Sequence, residues 1–203
     1  MIALPNIDEL KRITQSLATL DLIICPEWED RYYSYDSKWS DTEHMASMRN
    51  GCGDDWFILF AASGATGIKG LAHEYPAARD PGLVEQIRRG LPSELAEFAS
   101  EPAFNWDSTS FCYWRLADDP AWSEVPEQES AETGADKFLG ILTNPLAGYC
   151  KFASDYYERD IEQSVIQHVL SHLPVTPDVI SSLNADIGID DIREDLEQVG
   201  YPY

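Results

Sequence analysis

Five apolar residues stand together at Trp56-Phe57-Ile58-Leu59-Phe60, between a segment rich in Gly and Asp and a loop of small residues at 61–67. A short run of this aromatic and branched character is typical of a β-strand buried on both faces. Ile68-Lys69-Gly70-Leu71 has the pattern of the returning strand. Because a loop of this length joins antiparallel neighbours, the pattern predicts a β-hairpin.

Three other segments have strand character. Side chains alternate around 32–36, and Ser110-Phe111-Cys112-Tyr113-Trp114-Arg115 has the composition of a buried or edge strand. Leu22-Ile23-Ile24-Cys25 is a short apolar segment ended by Pro26, and we expect a third short strand there.

Apolar residues recur at helical spacing near the N-terminus and through most of the C-terminal part. The predicted helices are 5–20, 83–89, 91–98, 137–142, 145–157, 160–172, 177–183 and 190–199. We therefore expect an α+β fold, in which helices pack on a small antiparallel sheet around the central hairpin and the C-terminal part is mainly helical.

The segment 118–136 differs from the rest of the chain because it combines two prolines with many carboxylates and few apolar residues. This composition predicts an exposed acidic loop. The chain is then a single α+β domain over 1–203. A division into a sheet-containing part, 1–117, and a helical part, 137–203, stays open as an alternative.

Charge is the strongest global feature, since the 203 residues carry a formal net charge of −22. Residues 101–203 hold 20 of the 36 acidic residues and only five of the 14 basic ones. Such a field repels nucleic acid and anionic lipid, and it accelerates encounters with a basic partner. A basic protein partner is therefore one interpretation, and an acidic surface that only maintains solubility is the other.

No apolar run approaches the ~18 residues of a membrane helix, and the N-terminus lacks the pattern of a secretory leader. We therefore expect a cytoplasmic protein with no membrane association. Cys25, Cys52, Cys112 and Cys150 are scattered without a C-x-x-C pair, which argues against zinc-knuckle and redox motifs. Reduced thiols fit a cytoplasmic location. Cys52, in the Gly-rich turn, is a weak candidate nucleophile because no residue beside it in the sequence would lower its pKa.

Candidate site residues fall in two places, one of them the end of the hairpin. There Lys69, His73 and Glu74 bring a cation, a titratable ring and a carboxylate together in the sequence, although such a group is more often solvated surface. Earlier, aromatic residues are set among acids from Trp28 to Trp39, a composition suited to receiving a cationic group or a basic peptide. The alternative, which we favour, is that the rings pack against the hairpin sheet while the acids face water. The candidate binding residues are Trp28, Tyr33, Asp54, Asp55, Lys69, His73 and Glu74.

Several specific chemistries lack their sequence pattern. The Gly-rich stretch before Lys69 has the wrong spacing for a phosphate-binding loop, and no Ser or Thr follows the lysine. His168 and His172 have the i, i+4 spacing that a metal ion can bridge, but no third ligand is evident on the same helix. A favourable interaction with the helix dipole is the simpler interpretation, and neither a metal nor another cofactor is predicted.

Three separated patches resemble a group of uncharacterised bacterial proteins. They are the segment from Met45 to Asp54 with Trp56-Phe57 and Ile68-Lys69-Gly70-Leu71-Ala72-His73-Glu74, the segment 110–115, and the closing 193–202. The resemblance covers most of the chain and implies a bacterial, cytoplasmic origin. It implies no activity and no catalytic residues.

Two functions of different class follow from these patterns. The first is an acidic binding module, of the immunity or inhibitor type, that holds a basic protein. The second is a small enzyme of unknown reaction with a site near Lys69, His73 and Glu74.

Overall fold

The computed structural model describes residues 2–203, and within them it contains one five-stranded antiparallel sheet and nine α-helices. The strands are β1 (Tyr33–Ser40), β2 (Glu43–Arg49), β3 (Asp55–Ala61), β4 (Thr66–Leu71) and β5 (Phe111–Arg115). The helices are α1 (Ile7–Ile24), α2 (Pro81–Gly90), α3 (Ala96–Ser100), α4 (Pro126–Glu129), α5 (Ala135–Thr143), α6 (Pro145–Tyr156), α7 (Gln163–Leu170), α8 (Pro177–Leu183) and α9 (Arg193–Val199). Short 3₁₀ helices include Trp28–Asp30, directly after α1.

The strands lie in the order β1-β2-β3-β4-β5, so each pairs with its neighbour along the chain. The predicted hairpin is the centre of this sheet, with Ile58 of β3 opposite Ile68 of β4 and Phe57 opposite Lys69. The α+β fold predicted from the sequence is confirmed, with a small antiparallel sheet packed by helices and a mainly helical C-terminal part.

The two faces of the sheet are covered by different helices. Alternate β3 residues Trp56, Ile58 and Phe60 face the main hydrophobic cluster, which includes residues of α1 and of α5 to α9. The opposite face carries Leu59 and Cys112 into a second cluster with α2 and α3. We call these the inner and the outer face. Residues of both 1–117 and 137–203 contribute to the inner cluster, so these two parts share one core.

Both edges of the sheet are protected from pairing with another chain. At β1, the Ser37 hydroxyl donates to the Gln198 carbonyl of α9 at 2.6 Å. At β5, Trp114 forms an antiparallel bridge with Ser123, and the Gln128 side-chain oxygen accepts from Cys112 N at 2.6 Å. Open strand edges are templates for aggregation, so these contacts have a protective consequence.

Two local predictions are wrong. The predicted strand Leu22–Cys25 is the end of α1, because no helix-breaking residue occurs before Pro26 and the whole last turn is buried against the core. The predicted exposed loop 118–136 is partly core, since Trp122, Val125 and Gln128 are buried. The Trp122 indole also donates to the Pro5 carbonyl at 2.7 Å, which anchors the segment to the N-terminus.

None of the helices in residues 2–203 combines the length and the apolar character needed to cross a membrane.

Candidate functional site

Trp28 is the most exposed large apolar side chain among residues 2–203, at 53%. It opens the 3₁₀ helix that follows α1, and its ring lies 4.5 Å from the guanidinium carbon of Arg49 on β2. This cation–π contact favours one orientation of the ring and leaves half of the side chain in solvent. The aromatic surface that the sequence offered to an external cation is thus already in contact with the chain's own Arg49.

A narrow cleft of about 120 Å³ lies beside Trp28, where β1 meets α9. Asp36, Trp39 and Asp195 contribute to its walls. Arg31 spans the cleft, since it pairs with Asp195 and donates to the Cys25 carbonyl at 3.0 Å. These contacts tie the segment that carries Trp28 to the last helix.

Three acids flank Trp28 in the chain. Glu27, Glu29 and Asp30 belong to the same short segment and are exposed to solvent. We call Trp28 with these three acids the Trp28 surface. An exposed indole with three exposed acids beside it in the chain combines an apolar anchor with an acidic segment.

Tyr33, the other aromatic candidate, belongs to the core. It is 5% exposed, and its ring packs 5.1 Å from that of Phe152 and 6.1 Å from that of Trp56, centroid to centroid. Its side chain therefore stabilises the inner cluster and is not part of the Trp28 surface.

Asp54 and His73 form a connected pair at one end of the sheet. Asp54 Oδ1 accepts from His73 N at 2.9 Å and lies 2.7 Å from His73 Nδ1, while Oδ2 accepts from Asn50 Nδ2 at 2.7 Å. Burial opposes ionisation of Asp54, but the hydrogen bonds from His73 and Asn50 outweigh it and lower its pKa. These contacts close the β2–β3 turn and hold the end of β4 against it.

Lys69 and Asp55 form a separate pair on the outer face. Lys69 Nζ lies 3.1 Å from Asp55 Oδ1, and the lysine side chain has no exposed surface. Burial lowers the pKa of Lys69 and raises that of Asp55, in each case against the opposing attraction of the partner. Among residues 2–203, Asp55 is the one residue whose side chain bonds the Lys69 ammonium group, and the Asp55 side chain itself is 21% exposed to solvent.

The candidate trio Lys69, His73 and Glu74 is not assembled into one site. His73 pairs with Asp54, and Glu74 lies 3.9 Å from Lys137. Within residues 2–203 no hydrogen bond or ion pair links Lys69 to His73 or Glu74. Cys52 is exposed and free, and its thiol makes no hydrogen bond to this cluster. The enzyme hypothesis stays a prediction.

The two C-terminal histidines have different surroundings. His168 Nε2 is hydrogen-bonded to the Pro174 carbonyl at 2.9 Å. His172 has a φ of 58° just beyond α7 and packs against Tyr201, with 4.7 Å between ring centroids. In residues 2–203 no group of three or more His, Cys, Asp or Glu is arranged to hold a metal ion.

Two polar clusters that depend on the fold were missed by sequence reasoning. One surrounds Asp21, a fully buried carboxyl between α1, β1 and α6. The other is a cleft of about 320 Å³ that includes Tyr113, Glu124 and Gln128. Spacing in the sequence does not reveal which carboxylates converge, so neither cluster was recognisable from the sequence. Trp122, a large apolar residue within the acidic segment, indicates only that this segment packs against the rest of the protein.

Comparisons with protein-family models, with curated proteins and with solved structures gave no match to the chain. The resemblance to a group of bacterial proteins stays a prediction.

Proposed function

We propose that the chain is a binding protein that holds a basic protein partner on the Trp28 surface. The observation that carries this proposal is the exposed Trp28 side chain, which rests on Arg49 and is flanked in the chain by the exposed acids Glu27, Glu29 and Asp30. Tryptophan is enriched among the residues that contribute most to protein–protein affinity.

Pre-organisation supports the same function. An exposed indole that rotates freely loses side-chain entropy when a partner covers it. Contact with Arg49 reduces that loss, because the ring is already oriented in the free protein. The Arg31–Asp195 pair and the Arg31 contact with Cys25 restrain the backbone beneath it.

The charge of the whole chain supports a basic partner. A net charge of −22 attracts cationic proteins over a distance of about one Debye length, which is ~10 Å at 0.1 M salt. This attraction increases the association rate, while the indole contributes to the lifetime of the complex.

A retention experiment tests the proposal with three proteins: the wild type, Trp28→Ala and Leu173→Ala. Leu173 is 47% exposed and serves as the matched apolar control. Each protein is immobilised and incubated with cell lysate at low salt and at ~1 M salt, where the screening length falls to ~3 Å. Circular dichroism verifies that both variants are folded.

We expect a basic protein that the wild type and Leu173→Ala retain at low salt, that Trp28→Ala loses at least tenfold, and that high salt releases. Equal retention by Trp28→Ala contradicts the proposed surface. If the retained amount is the same at low and high salt, or if no basic protein is retained, the proposed class of partner is contradicted.

A further inference from the structure

The cleft of about 120 Å³ beside Trp28 has a polar wall built by β1 and β2. Ser34 of β1 lies directly opposite Ser47 of β2, and both residues line the cleft. Side chains that are directly opposite in an antiparallel pair have Cβ atoms ~4.5–5.5 Å apart. Because Met45, two residues before Ser47, packs against the hydrophobic cluster of the outer face, the two serines lie on that face as well. The strand pairing therefore places two hydroxyl groups next to each other in the cleft.

The hydroxyl of Ser47 has unused hydrogen-bonding capacity although the residue is buried. Ser47 is 2% exposed, and its hydroxyl makes none of the hydrogen bonds found among residues 2–203. The Ser34 hydroxyl makes none of them either. Neither oxygen is among the fully enclosed polar atoms that lack a partner, so both remain accessible from the cleft. Buried polar groups in native proteins are normally hydrogen-bonded, so the Ser47 hydroxyl points to a polar ligand in this cleft.

One end of the polar wall carries a cation. Arg49 follows Ser47 by two residues on β2 and lines the same cleft. Its guanidinium carbon lies 4.5 Å from the centroid of the Trp28 ring, and its side-chain N–H groups make no hydrogen bond or ion pair among residues 2–203. A cation–π contact is electrostatic and needs no N–H donor. Arg49 therefore keeps the planar fork of donors that matches the two oxygens of a carboxylate.

The other end of the wall carries an acid. Because β1 and β2 are antiparallel, Asp36, two residues beyond Ser34, lies at the end opposite Arg49. Its carboxylate accepts from Lys38 N at 2.7 Å and from Gln198 Nε2 at 3.2 Å. Both donors are neutral groups, so they hold the carboxylate in place without compensating its charge.

We propose that this cleft binds a small amino acid as its zwitterion, with the carboxylate at Arg49 and the ammonium group at Asp36. The serine hydroxyls between them can donate to the carboxylate and accept from the ammonium group. Arg31 and Asp195 also line the cleft, but they pair with each other, so the charges of the lining balance. The proposal goes beyond the binding of a basic protein, since it requires no partner chain.

Size and charge disfavour other ligands. A cleft of about 120 Å³ is smaller than the ~150 Å³ cavity that binds benzene, so the ligand has few heavy atoms. A carboxylate without an ammonium group is repelled by a chain whose net charge is −22, and a simple amine is repelled by Arg49. A zwitterion has no net charge and pairs with both ends of the wall.

NMR titration of the ¹⁵N-labelled protein tests the proposal with glycine, γ-aminobutyrate, acetate and methylammonium. Backbone amide signals of β1 and β2 report whether a ligand binds in the cleft. Acetate carries only the carboxylate and methylammonium only the cation, so the comparison isolates the need for both charges. Glycine and γ-aminobutyrate separate two sources of the zwitterion, because they place the two charges at different distances.

Three variants each change one interaction. Ser47→Ala removes one hydroxyl, Asp36→Asn removes the negative charge and keeps the shape of the side chain, and Arg49→Lys keeps the positive charge but loses the planar fork. Ser154→Ala and Asp41→Asn are the matched controls, because both residues are exposed and neither lines the cleft. A thermal unfolding scan confirms that every variant is folded.

We expect saturable shifts of the β1 and β2 signals, with a dissociation constant of ~1 mM or below for the tighter zwitterion and binding of acetate and methylammonium at least about tenfold weaker. Asp36→Asn and Arg49→Lys should each weaken zwitterion binding about tenfold, as expected for the loss of a charged hydrogen bond, and Ser47→Ala several-fold. Both controls should change it less than about twofold. Tighter binding of glycine assigns the site to α-amino acids, and tighter binding of γ-aminobutyrate assigns it to amino acids with more widely spaced charges.

Three results would overturn the proposal. Dissociation constants above ~1 mM for both zwitterions remove the site. Acetate or methylammonium that binds as tightly as the zwitterions contradicts recognition of two charges. A loss for Ser47→Ala no larger than that for Ser154→Ala contradicts the role of the buried hydroxyl. None of these results bears on the Trp28 surface, whose test uses a protein partner and Trp28→Ala.

Discussion

Two carboxyl groups lie near opposite faces of the same sheet: Asp21 is fully buried, and the side chain of Asp55 is 21% exposed. Their negative charges are compensated differently. On the outer face, Asp55 lies 3.1 Å from the ammonium group of Lys69. On the inner face, none of the hydrogen-bond partners of Asp21 among residues 2–203 is a cation. Asp21 accepts from Tyr32 N at 3.1 Å, from Tyr33 N at 2.7 Å and from the Tyr149 hydroxyl at 2.7 Å.

This difference separates two ways of burying a polar group. The Lys69–Asp55 pair cancels its own charge, so its cost is the desolvation of two ions. Asp21 instead uses its two oxygens to join three elements through neutral dipoles, and its negative charge is not compensated. Burial accordingly raises the pKa of Asp21 to about 7, although the hydrogen bonds from Tyr149, Tyr33 and Tyr32 act in the opposite direction.

The largest effect is expected for Asp21→Ala. This substitution leaves two backbone N–H groups and the Tyr149 hydroxyl without their acceptor inside the core, and each unsatisfied buried group costs about 1–3 kcal/mol. We expect a loss of roughly 3–5 kcal/mol in the free energy of unfolding, measured by urea denaturation. Asp155→Ala, at an exposed position of α6, is the control and should change stability by less than about 0.5 kcal/mol.

A small loss for Asp21→Ala, similar to that of the control, would mean that Asp21 does not join α1, β1 and α6. The comparison of the two faces would then fail on the inner side.

The next effect concerns pH. The folded pKa of Asp21, about 7, lies above its unfolded value of 3.8, so the folded state binds the proton more tightly. Protonation of Asp21 contributes fully to the free energy of unfolding below pH ~4, and this contribution is lost as pH rises to ~7. Above pH ~7 no further loss is expected from Asp21. The total loss is at most about 4 kcal/mol. Burial also raises the pKa of Tyr32, Tyr33 and Tyr149, so these hydroxyls remain neutral throughout.

Asp21→Asn isolates this dependence. The asparagine oxygen can accept from both backbone N–H groups, and its amide can donate to Tyr149, so the hydrogen bonds are kept without a charge. The difference in stability between variant and wild type should therefore increase in favour of the variant between pH 4 and 7. Asp54 has a lowered pKa and therefore stabilises the fold as pH rises, which is the opposite trend. This contribution is the same in the variant and the wild type, so it cancels when their stabilities are subtracted at each pH. A constant difference across this range would show that Asp21 is ionised throughout.

The sequence predicted the sheet much better than the polar clusters. The hairpin around Ile58 and Ile68 was recognisable because hydrophobic runs and small-residue turns are local signals. The same signal wrongly predicted a strand at Leu22–Cys25. A helix end that is buried on all sides has a continuous apolar run, and so does a buried strand. Asp21 had no local signal, since its donors lie 11 to 128 residues away.

The candidate binding residues illustrate the same limit. Trp28 and Tyr33 have similar composition around them, and only the fold shows that one is exposed and the other is core. Alternation identifies which residues share a face of a strand, but it does not reveal whether that face is covered. Lys69 was predicted at the surface with His73 because charge is normally exposed, and its pairing with Asp55 under the outer helices is a tertiary feature.

The smallest effect, and the test of the outer face, is expected for Lys69. Lys69→Ala removes the cation, leaves Asp55 without a partner and creates a cavity, so we expect a loss of roughly 2–3 kcal/mol. Lys69→Met fills the same space without a charge. If the cavity is the larger part of the cost, Lys69→Met should lose at least ~1 kcal/mol less in the free energy of unfolding than Lys69→Ala. Asp55→Asn and the double variant Asp55→Asn, Lys69→Met complete a cycle whose coupling free energy measures the ion pair itself. A coupling free energy above ~1 kcal/mol would establish the contrast between the two faces. A coupling free energy near zero would mean that the ion pair does not stabilise the fold. The charge of Lys69 would then be as poorly compensated as that of Asp21.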